Sequence, residues 1–128
     1  MLSYVETPSA PKPFSNYSQA VEVPAGARLL HISGQVGMAV DGTIPAEEEA
    51  QHELAWRNIL AILASRNMTA RNLVEVQAFI VNPRSVGLYR KVRDRMLEGA
   101  KPASTLLIVT GLADPILTVE IAAVAASS

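Results

Sequence analysis

Apolar positions recur with two different periods along this chain, and the most telling stretch is the last. From Ile116 to Ala126 every residue is apolar except Thr118 and one charge, Glu120. The length and β-branched content of this run predict a strand over Leu117–Ala125. Alternation places Leu117, Val119, Ile121, Ala123 and Ala125 on one face, and Thr118, Glu120, Ala122 and Val124 on the other. The second face is thus mostly small and apolar, an unusual lining for a carboxylate. A desolvated carboxylate has a raised pKa and can exchange a proton with a bound molecule near neutral pH. Glu120 is therefore a candidate for acid–base chemistry, although a Glu on a solvated sheet edge gives the same pattern.

Period-two patterning also marks Tyr17–Val23, Arg28–Gly37, Leu73–Val81 and Thr105–Val109 as strands. Pro24-Ala25-Gly26-Ala27 is a tight turn that predicts an antiparallel pair of the first two, and Asp41-Gly42 is a further turn. Helical spacing appears twice. Pro45–Arg66 carries Trp56, Ile59, Leu60 and Leu63 on one face, with Glu47, Glu48 and Glu49 suiting the positive end of the helix dipole. Ser85–Leu97 carries Val86, Tyr89, Val92 and Met96, and Gly99 stops it. The order β-β-α-β-α-β-β, with a short extra strand at Ser3–Thr7, predicts an α+β fold with two helices on one face of a mixed sheet. A single domain is expected over 1–128, with residues 1–16 as a Pro/Ser-rich N-terminal arm. Leu73–Val81 holds Phe79 and Val81 on the parity opposite Val74, Val76, Ala78 and Ile80, and Thr105–Val109 is apolar on both faces. Two helices cover only one face of a sheet. Strands apolar on both faces need cover on both, which predicts an obligate oligomer.

Composition narrows the function classes. Eleven Lys and Arg against twelve Asp and Glu leave no global field to recruit nucleic acid or acidic lipid. No cysteine is present, which removes disulfides, thiolate nucleophiles and cysteine–metal sites together. The prolines of Met1–Pro13 do not read as a secretory signal, and no uncharged apolar stretch is long enough for a membrane helix. A soluble, cytoplasmic domain is the expectation.

Four segments then carry a resemblance. Tyr17-Ser18-Gln19-Ala20, Ser33-Gly34-Gln35, Pro102-Ala103-Ser104-Thr105 and Val119-Glu120-Ile121-Ala122-Ala123-Val124-Ala125 fall in the order and spacing of the RidA/YjgF family. The resemblance covers Tyr17 to Ala125. It implies a chorismate-mutase-like α+β fold and a homotrimer with clefts between subunits; the sequence carries no phosphate-binding loop or dinucleotide fingerprint, and no cofactor is expected. The resemblance also implies hydrolysis of reactive enamines and imines, such as 2-aminoacrylate tautomers, to keto acids and ammonia. Residue by residue, it makes Tyr17 a lining of the cleft, Ser33 part of its floor and Glu120 the acid that holds or activates water.

The chain departs from that pattern at several places. Deaminating members place an arginine directly after Pro-Ala, whose planar fork clamps the substrate carboxylate; here that residue is Ser104. Ser15-Asn16 replaces a usual Gly-Pro, Gly87 a frequent asparagine, Leu106 a frequent cysteine, and Ala122 the second acid of Glu-Ile-Glu. Loss of a charge-assisted bond costs on the order of 1.5–3 kcal/mol, so hydrolysis of 2-aminoacrylate-type imines is expected to be absent or weak. An arginine reaching in from the second helix would overturn that expectation.

Other chemistry is less well supported by the residues. His31 and Ser33 share a strand face but lie about 7 Å apart, beyond the hydrogen bond a nucleophilic pair requires. His52 is expected on the polar side of the first helix, and two distant histidines make no metal site. Arg84, Arg90, Lys91, Arg93 and Arg95 place a basic run on or beside the second helix that suits RNA phosphates or a solvated face. It lacks interleaved aromatic stacking positions, so nucleic acid is not the expected partner. The principal reading is a hydrolase of enamines, imines or related electrophiles. Glu120 handles water, Ser104 and Thr105 hydrogen-bond the substrate, and Tyr17 packs on it. A non-catalytic small-molecule binder or sensor is the alternative, and an RNA-acting protein the second alternative.

Overall fold

The computed structural model describes residues 1–127. Its elements are β1 (Ser3–Val5), β2 (Ala20–Glu22), β3 (Arg28–Val36), α1 (Glu48–Ala64), β4 (Leu73–Ile80), α2 (Val86–Leu97), β5 (Ala103–Ile108) and β6 (Val119–Ser127). Strands β3, β6, β4 and β5 lie side by side in that order as a four-stranded sheet. The β3–β6 and β6–β4 pairs are antiparallel and β4–β5 is parallel, so the sheet is mixed as expected. Trp56, Ile59 and Leu63 of α1, with Tyr89, Val92 and Leu97 of α2, bury against Val76, Ala78, Ile80, Val119, Ile121 and Ala123. Both helices thus cover the same face.

The expected β2–β3 pair does not form. The Pro24–Ala27 turn is present, with the Ala27 N–H donating to the Pro24 carbonyl at 3.3 Å and Gly26 at φ +82°. It redirects the chain rather than folding it back. Leu30 and Ile32 of β3 pack against the core, which β3 reaches by pairing with β6. β2 has no fully buried side chain and pairs instead with β1 in a separate antiparallel ribbon. A smaller difference lies in β4, where a register irregularity at Leu73–Glu75 buries Leu73 and leaves Val74 only partly covered.

Gln51 joins the start of α1 to the end of the chain. Its fully buried amide donates to the Pro45 carbonyl at 3.0 Å and the Ile116 carbonyl at 2.9 Å. Its oxygen accepts from the Thr118 N–H at 2.8 Å and the Thr118 hydroxyl at 2.9 Å. Gly37 lies against the Gln51 backbone so closely that a Cβ there would overlap it. The clamp fixes where β6 begins, and hence which way Glu120 points.

The sheet face opposite the helices is open. Strand register lines up Val36, Glu120, Phe79 and Leu107 in one row across it. Leu29 and Leu107 on this face are about half exposed. No helix among the described residues is long and apolar enough to cross a membrane.

Candidate active site

A cleft of about 450 Å³ opens at the β5 edge of the sheet. Its outer wall is Phe14, Ser15 and Tyr17, its helix wall Val86, Tyr89, Arg90 and Arg93, and its floor Ser104 to Ile108. Ser18 seats the outer wall: its hydroxyl donates to the Lys101 carbonyl at 2.6 Å and its N–H to the Pro102 carbonyl at 3.2 Å. That anchorage, together with the parallel bridge from Ser18 to Ala103, brings Tyr17 beside Ser104. The Tyr17 hydroxyl accepts from the Phe14 N–H at 3.2 Å and closes the wall on itself.

Arg93 is the buried cation of this cleft, only 4% exposed. Its Nε donates to Asp94 Oδ1 at 3.0 Å and its Nη2 to the Ser15 hydroxyl at 3.2 Å, with the guanidinium 5.8 Å from the centre of the Tyr89 ring. Asn16 donates to the other Asp94 oxygen at 3.3 Å. The Ser15-Asn16 pair that replaces Gly-Pro is therefore what binds the arm to the Arg93–Asp94 pair of α2. Tyr89 is fully buried, and burial pushes its phenol up to about 12, with Arg93 and Ser104 partly offsetting the shift. Its hydroxyl lies near Ser104 yet has no hydrogen-bond partner.

The expected site residues divide between two places. Tyr17, Ser104 and Thr105 line the cleft. Ser104 is in register with the buried Val76 and so turns toward the helices, whereas Thr105 turns toward the open face. Glu120 and Ser33 are outside the cleft, on the open face. Glu120 is two strands from Leu107, roughly 10 Å across the sheet at the usual strand spacing. Its carboxylate rests directly over Gly34, in the irregular turn of β3 between Ile32 and Gln35. A Cβ at Gly34 would overlap that carboxylate. The glycine of Ser33-Gly34-Gln35 is thus the seat of Glu120.

The expectation for His52 fails, and that for the basic run holds only in part. His52 is fully buried instead of solvated, because positions 52, 56, 59 and 63 recur at helical spacing and bring it into the apolar stripe. Its ring meets Tyr89 edge-on at 6.1 Å, neither nitrogen has a partner, and burial lowers its pKa against the opposing pull of Glu48 and Glu49. The basic run of α2 does not form one surface. Lys91 pairs with Glu49 at 3.2 Å, Arg95 with Glu49 and Glu53 at 3.5 and 3.3 Å, and Arg93 turns inward. Only Arg84 and Arg90 of the five have no acidic partner within 4 Å among the described residues. The basic run read as a solvated face, with an arginine reaching into the cleft left open; the position of Arg93 four residues after Tyr89, one helical turn on, is the signal that it shares the buried side.

A mixed sheet with two helices on one face, an edge cleft and a carboxylate seated on a glycine define a small α+β domain. Residues 7–127 match the family model described as Endoribonuclease L-PSP, and the chain belongs to this family, the RidA/YjgF proteins. It is 31% identical over 112 residues to the 2-iminobutanoate/2-iminopropanoate deaminase of Dermatophagoides farinae, covering 84% of both proteins. It is 30% identical over 110 residues to Protein DfrA of Myxococcus xanthus, covering 84% of this chain and 83% of that one. Its fold is that of a Rid-family protein of unknown function from Yersinia pestis, with a TM-score of 0.87, 27% identity and 98% of both chains covered.

Proposed function

We propose that the protein is a hydrolase of enamines, imines or a related small electrophile, working at a cleft that two copies of the chain complete together. The carrying observation is Glu120. A carboxylate seated over Gly34, with no salt-bridge partner among the described residues, lies between Val36 and Phe79 on an open sheet face that a second copy would cover. The cleft at the β5 edge offers Tyr17, Ser104 and Thr105 but no carboxylate among its lining residues. Glu120 of a neighbouring copy would supply it, and the deaminase among the relatives supports the reaction class.

In this reading water adds across the C=N bond. Glu120 takes a proton from the water as its oxygen bonds to the imine carbon, while the nitrogen gains a proton, giving a carbinolamine. The hydroxyl proton then passes to the amino nitrogen by way of the Glu120 carboxylate, the C–N bond breaks, and ammonia departs from a ketone or keto acid. General-base assistance of this kind contributes roughly 10²–10⁴-fold. Ser104 and Thr105 hydroxyls orient the substrate, and the Tyr17 ring packs on it.

Glu120→Gln keeps the size and one acceptor oxygen but cannot take a proton. It is expected to leave folding, assembly and ligand binding nearly intact and to lower turnover by about 100-fold or more. Gly34→Ala, which displaces the same carboxylate without removing it, is expected to lower turnover in the same direction. Rates measured by ammonia release in a coupled imine-hydrolysis assay decide the matter. Unchanged turnover in Glu120→Gln ends the catalytic assignment and leaves a binding protein.

A further inference from the structure

The charged side chains of the β5-edge cleft are of one sign: Arg90 and Arg93. We propose that this cleft binds a carboxylate with a sizeable apolar body, anchored by Arg90 and Arg93 of α2 instead of by any side chain of β5. Resting on the hydrolase reading above, this names the substrate class as imino acids with a large apolar side chain.

Four observations carry the assignment. Arg93 is 4% exposed, and only one half-exposed carboxylate, Asp94, offsets its charge. Arg90, one turn earlier on the same side of α2, lines the cleft with no acidic partner among the described residues. No Asp or Glu belongs to the cleft lining, so the two guanidiniums set its sign. Tyr89 also lines it, and its buried hydroxyl, near Ser104, has no partner. An unsatisfied buried hydroxyl is costly, and an oxygen of a bound carboxylate would satisfy it.

The remainder of the cleft is apolar. Val86, Leu106, Leu107 and Ile108 form its floor and helix wall, with Phe14, 85% exposed, at the rim. In the single chain the cleft measures near 450 Å³, room for an apolar body beside a carboxylate even after part of it is taken up by a second copy. Charge at one end and apolar surface at the other select an amphipathic anion.

The test uses probes that are not substrates, so binding is read apart from turnover. Calorimetric titration of the intact protein compares 3-phenylpropionate with propionate, which lacks the apolar body, and with 3-phenylpropanol, which lacks the charge. 3-Phenylpropionate is expected to bind at least about tenfold tighter than either. Arg90→Gln, at a position partly open to solvent, is expected to weaken it by about tenfold or more while thermal stability holds. Arg93→Lys keeps the charge but loses the planar fork, and is expected to weaken it as well. Should Arg93→Lys unfold the arm, Arg90→Gln alone decides. Equal affinity for the three probes, or unchanged affinity in Arg90→Gln, overturns the proposal. If the probes fail to discriminate while imine turnover still depends on Glu120, the anchor is wrong and the hydrolase reading stands. If they discriminate as expected while Glu120→Gln keeps full turnover, the hydrolase reading falls and the cleft remains an anion site.

Discussion

His52 shows how one side chain ties this fold to pH. Its imidazole sits fully buried against Tyr89 with both nitrogens unpaired, and burial holds its pKa below the ordinary 6.5. The folded state thus prefers the neutral ring, while the unfolded chain binds a proton below 6.5. The resulting stability is fully present above that value and is lost as pH falls through the window between 6.5 and the lower folded pKa. Glu48 and Glu49 narrow the window by favouring the charged ring, and the partly exposed Glu49 and Glu53, held below 4.5 by their Lys and Arg partners, act only at lower pH. The melting temperature is expected to be flat from about pH 8 to 6.5 and to fall toward pH 5, with a limiting slope of about 1.4 kcal/mol per pH unit. In His52→Leu the fall should vanish over that range. A wild-type curve flat to pH 5 would mean that the ring is solvated on this timescale.

At the scale of elements, what positions the chemistry is the junction between α1 and β6. Gln51 satisfies the Pro45 carbonyl ahead of α1 and, at the entry to β6, the Ile116 carbonyl and the Thr118 N–H. Gln51→Leu keeps the volume and removes every one of those bonds. Each buried group left unpaired costs about 1–3 kcal/mol, so a total near 3 kcal/mol and a fall in melting temperature of about 10 °C are expected. A loss below about 2 °C would show that water or a local shift replaces the clamp. Turnover should fall as well, since Glu120 lies two residues beyond Thr118. The elements themselves were legible from period alone, because each strand and helix needed only local propensity and one buried face. The pairing of β2 was not. A turn that permits a hairpin does not require one, and the competing partner, β6, lies about ninety residues away in the chain.

At the scale of the whole molecule, the open sheet face is where assembly is expected. Phe79, Leu107 and Val124 lie on it with no second layer in the single chain, and the helices are committed to the other side. The protein is expected to sediment as a trimer of about 41 kDa, three times the 13.7 kDa chain, at micromolar concentration. Leu107→Asp, on the exposed edge strand away from the core, should shift that equilibrium toward monomer and abolish turnover together, because it separates Glu120 from its neighbour's cleft. A stable, active wild-type monomer would overturn both the oligomer and the shared site.

Sequence alone determined the class of this protein. Strand and helix order, the covered and uncovered sheet faces, the family, and the absence of an arginine after Pro102-Ala103 all depend on residue type and spacing, which a chain displays before it folds. Tertiary structure decided where charge resides. Arg93 has the same neighbours in sequence whether it faces solvent or the cleft. Only the rotation of α2 against the sheet, fixed by Tyr89 and Val92 in the core, turns its guanidinium inward to Ser15. Glu120 likewise reads as a lone acid on an apolar strand, but the glycine that seats it comes from β3, more than eighty residues earlier. Local sequence sets which face a side chain is on. What that face then meets depends on long-range packing, and no spacing within a single segment encodes it.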